Sequence, residues 1–421
     1  MFSRKISFNK RAWLLAVFSL SVGLLPAGAN TPPLNPPPTA QSSADFNVAE
    51  YFGDPWFRKH IDFWTKVYTH YNSTQALVHD AKHVNIVYEM IDFTNQPRGR
   101  SRDFTGKMRE KWRRVLTTLH EREGVLEKMT EEERRVFRLF DEIDDPNRFL
   151  EAARRKRIRM QTGLRQRFKE SIELSGLYLS RMEEEFRKAG VPPILTRIPF
   201  VESSFNVNAK SKVGASGIWQ FIKSTGRLYL TINDAVDERN DPILSAAAAA
   251  KLLRANYDAL GNWPLAIVAY NHGRMGIMRG VRKVDSSHIK DVLKNYRSRM
   301  FGFASQNYFM EFLAAAEIEA NADRYFLGVQ RMKPIDYVEV EVRDYVSASV
   351  LIKFLGIPRR LFKEYNPALT DAVYKDELRI PKGYSLRLPA DWARDRGGPI
   401  RAYWDTYRRM PASTKHRRQP L

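Results

Sequence analysis

The sequence predicts a mainly α protein with an α+β central domain, a helical domain before it and a small α/β unit after it. Three observations lead there. Aromatic and aliphatic residues recur at three- and four-residue spacings from Phe46 onward. A stretch rich in Gly, Ser, Asn and Lys then interrupts the helical pattern between Phe205 and Asp234. Beyond Pro334 the period changes to two, over Tyr337 to Val342 and again over Tyr384 to Leu388. With 421 residues the chain has room for two or three domains.

The first 29 residues carry Arg4, Lys5, Lys10 and Arg11, an apolar run from Ala12 to Leu25, and then Ala27-Gly28-Ala29. That is the pattern of an export signal cleaved before Asn30, and the apolar run is too short to span a bilayer comfortably. A periplasmic location is therefore expected. The chain has no Cys, which excludes disulfides, a thiolate nucleophile and a lipid-modified Cys at the cleavage site. Residues 30–44, with prolines from Pro32 to Pro38 followed by Gln41-Ser42-Ser43, read as an extended linker.

Residues 45–186 read as an all-helical N-terminal domain. Phe52, Trp56, Phe63, Trp64, Val67, Tyr68 and Tyr71 keep helical spacing, and Thr130-Glu131-Glu132-Glu133 is a capping signal before Val136, Leu139 and Phe140. His79 and His83 stand four apart on this expected helix. No Glu follows His79 and no third ligand stands at a recognisable spacing, so no metal or other cofactor is expected.

The formal net charge is +21, with basic runs at Arg154-Arg155-Lys156-Arg157 plus Arg159, and at Lys111 with Arg113-Arg114. Such a surface suits anionic partners: nucleic acid, a lipid surface or a cell-wall polymer. Export argues against nucleic acid. The bland alternative is a solvated helix face neutralised by Glu151 and Glu170.

Glu202 is the candidate catalytic residue. Pro192 and Pro193 favour a helix start, and the helix is expected to run toward Ser204 with a kink at Pro199. Counting back from Glu202 by 4, 7 and 8 gives Ile198, Leu195 and Ile194, so the carboxyl continues an apolar face. Desolvation there raises its pKa, as a general acid near neutral pH requires. A buried Glu held by N–H groups or an Arg would leave the same pattern.

The loop that follows carries Gly214 and Gly217, which would let backbone approach a ligand, and Trp219 with Gln220, a flat face beside an amide that suits a sugar. Trp263 to Gly273 reads as an apolar helix that places Tyr270 and Asn271 at its C-terminus, with Gly273 as the cap. Core packing of Trp219, and helix-end hydrogen bonding of Ser203 and Asn271, are the structural alternatives.

These pieces occur in a fixed order: Glu202-Ser203, Gly-x-x-Gly-x-Trp-Gln at 214–220, Ser224-Thr225-Gly226-Arg227, Asp237-Glu238-Arg239 with Asp241-Pro242, and Ala269-Tyr270-Asn271. Together they resemble the lysozyme-like lytic murein transglycosylases. The resemblance implies a lysozyme-like domain over 187–330 acting on peptidoglycan glycan strands. It implies cleavage of the MurNAc-β-1,4-GlcNAc bond with closure of a 1,6-anhydro ring. Glu202 would be acid and then base, and Ser203, Gly217, Trp219, Gln220, Tyr270 and Asn271 would hold the sugar. The core stretch supplies a single carboxyl where ordinary glycosidases need two, which accords with the sugar's own hydroxyl as nucleophile.

Two other functions stay open, a hydrolytic muramidase of goose-lysozyme type and a non-catalytic wall-binding scaffold. Asp237 and Asp241 are the nearest candidates for a second carboxylate, but their position before a helix favours capping and pairing with Arg239. A further helix is expected over Asn307 to Phe326. Residues 334–392, with two strands, two short helices, Asn366-Pro367 and Ile380-Pro381, resemble a LysM glycan-binding module. Arg343-Asp344 stands where that module has Gly-Asp and the stretch from Pro367 to the last strand is longer than expected, which makes the module a degenerate one and leaves a small structural cap on the preceding domain as the alternative; residues 393–421 read as a basic tail.

Overall fold

The computed structural model describes residues 46–94, 102–123 and 125–394. The expected export signal, the proline-rich linker and the tail beyond 394 lie outside the described residues. Helix α1 (Pro55–Thr69) starts where Asp54 accepts from the N–H groups of Trp56 and Phe57 and where proline at the first turn sacrifices no hydrogen bond. It buries Phe57, Ile61, Phe63, Trp64, Val67 and Tyr68.

The stretch from 45 to 186 is not all-helical. Strands β1 (Gln75–Asp80), β2 (Val87–Asp92) and, across α2 (Arg102–Glu121), β3 (Ile158–Thr162) form an antiparallel sheet in the order β2-β1-β3. Leu77 lies opposite Met90 and Gln161, and Val78 opposite Glu89 and Met160. The physical reason for the difference from an all-helical domain lies in β1. It is the central strand, covered on both faces, so Ala76 to Asp80 are all buried and no apolar/polar alternation survives. His79 therefore sits on a strand and His83 in the turn after it, and their spacing has no helical meaning. Asp80 is buried with a bidentate partner, Arg157, and accepts from the backbone of Lys82 and His83.

Two apolar clusters meet along this sheet. The smaller one contains Val78, Tyr88, Trp112, Leu116, Val136, Phe140 and Phe149, and the Thr130–Glu133 capping box forms as expected beneath it. The larger one does not break at residue 186. It joins α1, α3 (Arg165–Ser175) and α4 (Leu179–Lys188) to α5 (Ile198–Glu202), α6 (Pro242–Leu260), α7 (Trp263–His272) and α8 (Phe303–Ala320). Phe168 of α3, for example, stacks on both Tyr68 and Phe200. The helices before residue 187 thus belong to the body that carries the site.

The C-terminal unit has its own core and the expected order: β4 (Tyr337–Glu341), α9 (Ala348–Leu355), α10 (Arg359–Tyr365) and β5 (Ser385–Pro389), with Val338 opposite Leu388. A one-turn helix at Asp371–Tyr374 takes up the long stretch before β5. The unit is docked on the loop before α6. Asp237 donates its N–H to Ala368, Thr370 donates to the carbonyls of Ala235 and Asp234, and Val236 joins the C-terminal core. Asp241 caps α6 with one carboxylate oxygen and pairs with Arg387 of β5 through the other. Both partners are buried. Replacing Arg387 by Met should leave an uncompensated buried carboxylate and cost about 3–5 kcal/mol, read as a lower unfolding midpoint and earlier proteolysis of the C-terminal unit. An unchanged midpoint would show that the pair is not what holds the unit in place.

Candidate active site

The segment expected as one helix from 192 to 204 is two short ones. A 3-10 turn spans Pro193–Arg197, and α5 begins at Ile198 with Pro199 in its first turn, so that proline starts the helix instead of kinking it. Ser204 and Phe205 take left-handed backbone (φ 54° and 55°), which ends α5 sharply after Glu202. The apolar face is as expected: Leu195 and Ile198 are buried, and Glu202 is only 7% exposed.

Nothing cationic faces the Glu202 carboxyl among its described partners. Its hydrogen-bond donor is Tyr308 of α8, whose hydroxyl lies 2.6 Å from Oε1, and Oε2 accepts no described hydrogen bond. Burial pushes the carboxyl up to about 7, and the Tyr308 bond, which favours the ionised form, pulls it part of the way back. A carboxyl of that kind can hold its proton at the start of a reaction near neutral pH and give it up during it.

Helix α8 is buried nearly all round, with Ser305, Asn307, Tyr308, Phe309, Phe312 and Ile318 inside. Trp64 of α1 donates to Asn307 at 3.2 Å, and Ser305 donates to Asn271 at 3.1 Å. One turn beyond Tyr308 stands Glu311, pushed up to about 8 by burial first and by the charge of Glu202 second, with Arg159 opposing. Neither Tyr308 nor Glu311 was singled out from the sequence. The available signal was a tyrosine and a glutamate three apart inside an otherwise Phe- and Ala-rich helix, a place where polar side chains need partners.

The structure separates the other expected site residues into two groups. Gln220, Tyr270 and Asn271 are half-buried around the site, the Tyr270 hydroxyl donating to the carbonyl of Trp219 at 2.8 Å and raised by burial and by Glu202. Gln220 donates to the carbonyls of Gly217 and Ala209, holding the loop closed on itself. Ser203, Gly217 and Trp219 are buried. Ser203 donates to Ile218 at 2.8 Å, tying α5 to the loop. Trp219, expected to offer a flat face to a sugar, is 0% exposed and stacks on Phe186 of α4. Left-handed backbone at Gly217 and Gln220 turns the residues between them inward. Gly217 is needed for a backbone neighbour: a Cβ there would lie 1.8 Å from the Arg239 carbonyl.

Arg239 knits the loop together. Buried and paired with Asp237, it also donates to the carbonyls of Gly214 and Phe221. Asp237 and Asp241 are thus committed to arginines and to capping, as their spacing before α6 suggested. Among the described residues no group of three or more His, Cys, Asp or Glu could hold a metal ion, and no helix is long and apolar enough to cross a membrane.

Residues 157–293 match the transglycosylase SLT domain family. Membrane-bound lytic murein transglycosylase D of Escherichia coli K12 is 31% identical over 221 residues, 50% of this chain and 48% of the relative. Peptidoglycan transglycosylase gp16 of Escherichia phage T7 is 34% identical over 120 residues, 26% of this chain and 9% of that protein. The chain therefore spans about half the length of the first relative. A solved structure of an inactive mutant of lytic transglycosylase Slt from Pseudomonas aeruginosa aligns with a TM-score of 0.31 at 17% identity, over 52% of this chain and 38% of that one.

The raised carboxyl has a consequence for stability. An acid whose folded pKa lies above its unfolded value contributes stability below the unfolded value, here about 4.5, which is lost as pH rises through the folded one near 7. Replacing Glu202 by Gln removes that loss. The variant should unfold at the same temperature as the parent near pH 4.5 and later than it at pH 8, by up to about 3 kcal/mol. Parallel melting curves at all pH values would show that Glu202 ionises normally.

Proposed function

We propose, from the match of residues 157–293 to the transglycosylase SLT domain family, that the chain is a lytic transglycosylase of peptidoglycan that cuts the MurNAc-β-1,4-GlcNAc bond and leaves a 1,6-anhydro-MurNAc end. The observation that carries this reading is the buried Glu202, its carboxyl pushed up to about 7 by burial, with a neutral hydroxyl as its hydrogen-bond donor. In the first step Glu202 gives its proton to the glycosidic oxygen as the bond from C1 to that oxygen breaks. The resulting carboxylate takes the proton of the 6-hydroxyl while O6 bonds to C1. Glu202 ends protonated again, and no water is consumed.

A hydrolase using a carboxylate nucleophile needs that second group ionised. Glu311, one turn after Tyr308 on α8, is pushed up to about 8 by burial, which favours its neutral form near pH 7 and supports the sugar hydroxyl as nucleophile. The half-buried Gln220, Tyr270 and Asn271 hold the sugar and polarise its N-acetyl group, which stabilises the cation-like intermediate. Ser203, Gly217 and Trp219 act by shaping the loop. A peptidoglycan substrate accords with the periplasmic location expected from the export signal, and the reaction as written uses no cofactor. The C-terminal unit, docked beside the same loop, extends the contact with the glycan, and the basic surface faces stem-peptide carboxylates or anionic lipid.

Digestion of murein sacculi tests this directly. Soluble products should be lighter by one water than hydrolytic muropeptides, resistant to borohydride and absent with Glu202→Gln. Reducible products would make water the nucleophile, and no release by the parent protein would leave a wall-binding role. Tyr308→Phe removes the bond that favours the carboxylate, so Glu202 should hold its proton to higher pH. The alkaline limb of kcat/KM should then move up by about one pH unit, whereas a limb that stays in place would remove Tyr308 from the proton account.

A further inference from the structure

The conspicuous basic runs of the sequence are largely neutralised in the fold. Arg154 pairs with Glu151, Arg157 with Asp80, Lys111 with Glu89, and Arg113 and Arg114 with Glu110. A less conspicuous segment keeps its charge. Residues 273–302 contain eight Lys or Arg against two acids, Asp285 and Asp291. Of the eight, Lys290 alone has a carboxylate partner among the described residues, Asp54. The helix Arg274–Val284 exposes Arg274, Arg279, Arg282 and Lys283, and residues 294–300 expose Lys294, Arg297 and Arg299. Asp291 is half-buried and accepts from Ser286, which leaves Asp285 as the exposed acid of the segment.

The two stretches adjoin. Tyr296 lies against Gly280, where a Cβ would meet its ring at 2.9 Å, and Tyr296 and His272 both pack on Phe301, with ring centroids 4.9 and 5.0 Å away. Met300 precedes Phe301 and Met275 follows His272 by three residues, so a methionine flanks that contact from each side. They are 39% and 56% exposed, and Met275 shares a helix stripe with Arg279 and Arg282. Unpaired cations interleaved with flexible apolar side chains suit a lipid surface: the cations meet headgroup phosphates while the thioether chains enter the apolar boundary. Carboxylates of a peptide stem would use the cations and gain nothing from the methionines. We propose that this face docks the protein on a bilayer surface of anionic lipid. His272 follows Asn271 and both share Ser305, so the docked face begins at the rim of the site, and the strands cut would be those lying against the bilayer. That consequence rests on the function proposed above; the docking itself does not.

Co-sedimentation with vesicles tests it without any cleavage, and so apart from the lytic reading. The purified chain should bind vesicles of phosphatidylcholine mixed with phosphatidylglycerol, leave those of phosphatidylcholine alone unbound, and be released by high salt. Arg279→Glu with Arg282→Glu should lower the partition by about tenfold or more. Met275→Ser with Met300→Ser, which changes no charge, should weaken binding and leave its salt dependence in place. Arg155→Glu with Lys156→Glu makes the same change in net charge elsewhere and should bind as the parent does. An equal loss from that control pair would reduce the effect to net charge and overturn the proposal, as would full binding by the methionine variant. Failure of the parent to bind the anionic vesicles would overturn it too. If the Arg279→Glu, Arg282→Glu variant instead lost binding to murein sacculi and kept the vesicles, the face would serve peptide-stem carboxylates and the lipid assignment would be wrong.

Discussion

The site depends on one constraint, the burial of the Glu202 carboxyl with a hydroxyl and no cation as its partner. An arginine in the position of Tyr308 would hold the carboxylate ionised and end its use as an acid. The surrounding architecture, among the described residues, brings a hydroxyl and no cation to it. Helix α5 ends at Glu202 with two left-handed residues, so the carboxyl is presented by a rigid stub. Helix α8 runs through the core and supplies Tyr308 from inside, held at its own N-terminal turn by Asn307 to Trp64 and by Ser305 to Asn271.

Two arginines complete the scaffold from the other side. Arg239 ties Gly214 and Phe221 to Asp237 inside the loop, and Arg387 reaches from the C-terminal unit to Asp241 at the start of α6. Each is buried against a carboxylate, an arrangement that costs desolvation and is justified by the geometry it specifies. Through them the loop that borders the site shares a boundary with the C-terminal unit, and the positions of Gln220 and Tyr270 follow from the same set of contacts.

Much of this was legible in the sequence where local chemistry sets the outcome. The cap at Asp241, the Thr130–Glu133 box, Gly273 after α7 and the two C-terminal strands need only residue types at fixed spacing, and all are found. The apolar face leading to Glu202 was legible for the same reason. Tertiary context decided the rest. Strand β1 is buried on both faces and lost its alternation, so the sheet was read as helix. Trp219 has the composition of a sugar platform, but its backbone geometry points it at Phe186. Tyr308 and Glu311 lie more than 100 residues from Glu202, and no spacing rule connects them to it.

The protonation state of Glu202 is the point on which chemistry and fold both turn. Carbon-13 labelling of the glutamate carboxyls, with Glu202→Gln to assign the resonance, follows that single group through pH in the intact chain. The expected midpoint is near 7. A midpoint in the usual carboxylate range, near 4.5, would mean an ionised Glu202 at neutral pH and would contradict its role as the acid.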